Sequence, residues 1–193
     1  MLPNYLDLKT IYIIVHIFGA IIGAGGAFVS DGVFFTTIKD GRIDTKEFEF
    51  IELGSKFVRA GLLILFISGM LLVTTDPIKY INSTKLLAKI TIVAVITVNG
   101  LIFHLVHIPK LRKLLGVELA QSDEFKRSSS GLVASGAISL FSWILTVVLG
   151  SLSSLPFSYV ELMLGYTVIM VFAVLGALIT KKRIFRVMPQ IET

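Results

Sequence analysis

Five long apolar runs, at about residues 10–30, 57–74, 86–108, 131–155 and 159–180, constrain this 193-residue chain more than any other feature. Each is long enough to carry a helix across the roughly 30 Å hydrocarbon core of a bilayer. No water is available there, so a spanning segment must pair its own backbone groups as a helix or close into a barrel. The short alternating segments of a barrel do not occur in this sequence. Composition agrees: 54% of residues are hydrophobic and 16% are charged, against about 25% charged in an ordinary soluble domain. The sequence predicts an all-α integral membrane bundle of five transmembrane helices, a single domain over 1–193 that leaves no length for a separate soluble one.

Five crossings put the termini on opposite sides. Fourteen of the 18 Lys and Arg residues fall in the segments 31–59, 109–130 and 181–193, and four (Lys9, Lys79, Lys85 and Lys89) fall on the other side. By the positive-inside rule the N-terminus is expected outside and the C-terminus in the cytoplasm, in a multi-pass protein of the cell (inner) membrane. The opening "MLPNYLDLKT" lacks the cationic region of a signal peptide, so the first run is expected to be retained. The net charge of +5 is then read as cations meeting anionic lipid of the bilayer surface, not nucleic acid. The absence of cysteine excludes disulfides, thiolate metal sites and iron–sulfur clusters.

Two connections carry local signals. Asp44 followed by Glu47 reads as a capping box opening a short amphipathic helix that runs towards the second span. The segment from Pro109, with leucines and cations on opposite faces, reads as an interfacial helix. The phrase "KDGRIDTKEF" imitates half of a calcium loop, but Thr36 and Ile38 stand where two ligands would be needed, and no metal site is expected.

The stretch "HIFGAIIGAGGAFVSD" is not a dinucleotide fingerprint, because Phe28 replaces the last glycine and no strand precedes it. Gly19, Gly23, Gly26 and Ser30 instead recur at helical spacing, a small-residue strip that lets membrane helices approach closely. Such a strip packs helices within the chain or docks a second copy or membrane partner through Gly19, Gly23 and Gly26. A second strip, Ser128, Ser135, Ser139, Ser142, Thr146 and Ser153, lies on one face of the fourth span. Its hydroxyls bond back to their own helix, or Ser135, Ser139, Ser142 and Thr146 line a path for water, protons or a small solute.

Ionisable groups inside spans are costly and are functional candidates by default. Counting the rise per residue, Asp31, Arg59 and His107 lie about 10–16 Å to the cytoplasmic side of the membrane centre. With His104 they form an inner polar cluster, or else Asp31 and Arg59 make an interfacial ion pair with the histidines bonded nearby. Towards the outer side, His16 sits about 6 Å and Lys89 about 12 Å from the centre, and the lysine either reaches the imidazole or snorkels to the surface. Glu161 reads as the capping-box partner of Ser158. His16 and His104 differ in depth by roughly 16 Å, so they cannot be axial ligands of one haem.

The first span, "YIIVHIFGAIIGAGG", resembles the opening helix of the copper-resistance D (CopD)-like proteins and the HemJ-type membrane protoporphyrinogen oxidases. The third span, "LLAKITIVAVITVNGLIFH", looks like the HemJ-type helix that begins with a lysine. The resemblance implies His16 and Lys89 as cofactor-binding residues for haem b or porphyrin, in a redox membrane protein. The residues themselves leave two other classes open: a channel or transporter for protons, ions or small solutes, and a structural subunit of a larger membrane complex.

Overall fold

The computed structural model describes residues 7–152 and 155–187, without the side chains at positions 40 and 184–187. Ser153 of the hydroxyl strip and the side chain of Arg186, one of the fourteen cations counted in 31–59, 109–130 and 181–193, lie outside the described residues. The regular structure is helical: α1 (Leu8–Asp40), α2 (Thr45–Thr75), α3 (Pro77–Ile81), α4 (Thr84–Ile102), a π turn (Phe103–His107), α5 (Ile108–Lys113), α6 (Asp123–Ser151) and α7 (Tyr159–Val187). Five stretches among the described residues are long and apolar enough to cross a membrane: Leu8–Lys39, Thr45–Thr75, Thr84–Lys113, Asp123–Ser151 and Tyr159–Arg183. This is a multi-pass membrane protein.

Most helices extend further than the apolar runs that announce them, because capping residues rather than hydropathy set their ends. Asp7 caps α1 by accepting from the Thr10 N–H at 2.7 Å. Hydrogen bonds from the Thr10 side chain and backbone hold the Asp7 carboxyl below its usual range. At the other end α1 runs ten residues past its expected limit and stops at Gly41, whose φ of 75° suits glycine and whose N–H closes on the Thr37 carbonyl. The Asp44–Glu47 capping box forms, with bonds of 2.7 and 3.0 Å. The helix it opens is continuous with the second span, so the two expected pieces are one element. The fourth span ends at Ser151, short of residue 155.

The segment after Pro109 is corrected. It does not start an interfacial helix; the third span widens into the π turn and passes Pro109 without breaking, ending at Lys113. Proline has no N–H to give and crowds the preceding carbonyls, and the wider turn accommodates both. The chain from Leu114 then folds onto the α1–α2 connection, where Gly116 N–H donates to the Ile43 carbonyl and Leu119 N–H to the Gly41 carbonyl, both at 2.9 Å. Arg42 pairs with Glu118 across this junction. Ile43, Leu111 and Leu119 are fully buried beneath it, with Phe34, Ile38, Ile108 and Phe125. The Lys/Arg-rich end of the bundle is thus closed by an apolar plug.

Farther along the helices a second apolar cluster joins Ala24, Ala27, Val58, Leu65, Ile92, Ile96 and Trp143. The glycine strip of α1 packs here, mainly against α2. A methyl at Gly61 would lie 2.5 Å from Gly23 Cα and 2.6 Å from the Gly19 carbonyl oxygen, and one at Gly54 would lie 2.5 Å from Ser30 Cβ. Helix α6 contributes Trp143, whose ring fills the space a Gly23 side chain would need. Gly19, Gly23 and Gly26 are therefore buried inside the chain. Helix α7 lies at the edge, held mainly by α6, with most of its apolar residues facing outward.

Candidate functional site

Between the two apolar clusters, four helices turn polar side chains towards one another. Each supplies three residues at helical spacing: Ala27, Ser30 and Asp31 from α1; Ser55, Val58 and Arg59 from α2; Asn99, Gly100 and Phe103 from the third span; and Ser135, Gly136 and Ser139 from α6. They enclose a cavity of about 30 Å³. A water needs about 10–15 Å³ of such space and two or more polar partners, so this cavity has room for about two waters.

Among the described residues Asp31 supplies the cavity's only carboxylate. Its Oδ2 is buried and has no hydrogen-bond partner among the described residues. Its Oδ1 faces Gly136, where a methyl group would stand 3.2 Å away. The interfacial ion pair considered for Asp31 and Arg59 does not form among the described residues. Instead Arg59 Nη1 donates to His104 Nε2 at 3.1 Å. Guanidinium only donates, so His104 Nε2 carries the lone pair and its proton sits on Nδ1, which is itself buried without a partner among the described residues. Arg59 is exposed at the cavity mouth, where α2 and the third span touch only lightly.

Asn99 ties two walls of the cavity together. Its Nδ2 donates to the Ser135 carbonyl and its Oδ1 accepts from Ser135 Oγ, both at 2.9 Å. The structure therefore brings Asp31 and Arg59 into one site and links His104 to it through Arg59. His107 lies beyond that site, buried with its ring centroid 5.8 Å from that of Phe103 and its Nδ1 unpartnered.

Only part of the hydroxyl strip reaches this cavity. Ser135 and Ser139 line it, whereas Ser142 bonds the Tyr166 hydroxyl of α7 at 2.8 Å and Thr146 bonds back to the Ser142 carbonyl at 2.8 Å. Ser128 bonds back to the Glu124 carbonyl. Ser142 and Thr146 do not line that cavity. Ser30, Ser55, Asn99 and Gly136 are site residues that hydropathy alone passes over; their signal is the repeated i, i+3/i+4 or i, i+1, i+4 spacing of small and polar residues within apolar runs.

His16 occupies a separate place. Its Nδ1 is 2.9 Å from Ser68 Oγ, and Ser68 gives its own proton to the Ile64 carbonyl at 2.6 Å. The imidazole must then be the donor in the first bond, which leaves Nε2 open. Lys89 is half-buried without a hydrogen-bond partner among the described residues and lies within electrostatic reach of His16. Neither residue lines the central cavity or any of three larger surface grooves.

Compared with family models, curated proteins and solved structures, the chain matches none. The likeness to the CopD-like and HemJ-type proteins rests on the motifs of the first and third spans alone.

Proposed function

We propose that this protein is a proton-carrying membrane transporter in which Asp31 takes up and releases the proton. The observation that supports this most is the buried, unpartnered Oδ2 of Asp31 in a polar cavity large enough for water. An ionised carboxylate in such a place is expensive, and a proton relieves the cost. Water in the cavity gives the proton a donor and acceptor, and the apolar clusters on either side keep the site from being an open pore. Transport then requires the bundle to expose the cavity to each side in turn, with the N-terminus outside and the basic end in the cytoplasm.

The reading is tested with the full chain in proteoliposomes containing a pH-sensitive dye, under an imposed pH gradient and clamped potential. Wild-type protein should carry protons above the protein-free background, and Asp31→Asn should return the rate to that background. Equal rates in wild type and Asp31→Asn would refute it.

A further inference from the structure

Arg59 and Asp31 share the cavity without pairing. Arg59 is permanently charged, and its only hydrogen-bond partner among the described residues is the neutral side of an imidazole. Among the described residues no other charged side chain lines the cavity; α6 contributes two serines and a glycine there, and the third span contributes Asn99, Gly100 and Phe103. Two occupancies leave this site without net charge. In one, Asp31 is ionised and the cavity holds only water. In the other, Asp31 is protonated and a monovalent anion offsets Arg59. A proton alone, or a metal cation alone, leaves an uncompensated positive charge within the span, which is the costlier arrangement.

We infer that the cavity binds a compact monovalent anion of halide size together with the proton, so that transport is proton–anion symport. The inference rests on the proposed role of Asp31 and adds the second substrate. The proton joins the Asp31 carboxylate, the anion takes the free N–H groups of Arg59 at the mouth, and both leave together. Ser55 and Ser139 supply neutral hydroxyl donors on two further walls. Space for about two waters admits a halide and excludes a bulky organic anion. The His104 contact holds the guanidinium away from Asp31, which keeps the two charges from collapsing onto each other and closing the site.

The test uses proteoliposomes with an internal pH dye and inward gradients of chloride or, as the bulky control, gluconate. Chloride should drive internal acidification in wild type and gluconate should not. Arg59→Gln should slow the chloride-driven rate by at least about tenfold, the scale of losing a hydrogen bond to a charged group. In detergent, chloride should raise the melting temperature of wild type, Arg59→Lys and Asp31→Asn, but not of Arg59→Gln. That readout needs only folded protein, and it separates anion binding from proton carriage. Proton flux equally fast in gluconate, or a chloride effect unchanged in Arg59→Gln, would overturn the anion inference and leave the proton reading standing. No flux under either anion from folded protein would overturn both.

Discussion

Gly136 stands directly against Asp31: a methyl group on its Cα would lie 3.2 Å from Asp31 Oδ1 and 3.5 Å from the carboxyl carbon. The glycine leaves the carboxylate room for water. Gly136→Ala should therefore impair proton movement more than stability. Crowding of about 1–3 kcal/mol falls on the carboxylate and its water, while alanine returns up to about 1 kcal/mol of helix propensity. Proteoliposome flux should fall by about tenfold with little change in melting temperature. Gly176→Ala on α7, where nothing lies within 4 Å to oppose it, should leave flux unchanged and raise stability by up to about 1 kcal/mol.

The α1–α2 contact depends on backbone approaching backbone. Gly61→Ala would drive a methyl against Gly23 and the Gly19 carbonyl, neither of which can yield as a side-chain tip would. We expect a loss of about 1–3 kcal/mol, measured by thermal unfolding in detergent. Gly25→Ala, on the open face of α1 with nothing within 4 Å, should cost nothing and gain up to about 1 kcal/mol of helix propensity.

Asn99 and Ser135 offer a double-mutant cycle. Ser135→Ala removes one of two bonds, because Asn99 still donates to the residue 135 carbonyl, whereas Asn99→Ala removes both. Asn99→Ala should be the more destabilising. Unfolding equilibria of the two single variants and the double variant should give a coupling of about 0.6 kcal/mol, and no more than about 1.7, the range for polar contacts between membrane helices.

Much of the fold was legible in the sequence because a bilayer permits so few solutions: five apolar runs demanded five helices, and Asp44 with Glu47 marked one start correctly. The junction of the two basic-end connections was not legible. Ile43 and Leu119 are fully buried there, yet they sit in polar surroundings with no periodicity to announce them, and their partners are about 70 residues away in sequence. The site was half legible. Intramembrane Asp31 and Arg59 identified themselves by their cost, but their relation did not, since depth along a helix says nothing about rotation around it. The same limit explains why His107 was grouped with them and why Asn99, plain in "VNG", was passed over.

At the basic end, burial should outweigh charge. Arg42 pairs with Glu118 in an exposed position, and such pairs contribute about 0–1 kcal/mol. Ile43 is fully buried in the apolar plug, and truncation of such a residue costs about 2–5 kcal/mol. Ile43→Ala should therefore lower stability several times more than Arg42→Ala, and only the Arg42→Ala difference should shrink at high salt. Thermal unfolding at low and high ionic strength checks both.

The proton on Asp31 can be observed without any transport assay. Infrared difference spectra of the protein in lipid, recorded between high and low pH in water and heavy water, report carboxyl groups that gain a proton. Wild type should show a protonated-carboxyl band, shifted in heavy water, that is missing in Asp31→Asn. Identical spectra from wild type and Asp31→Asn would contradict the assignment of Asp31 as the proton carrier.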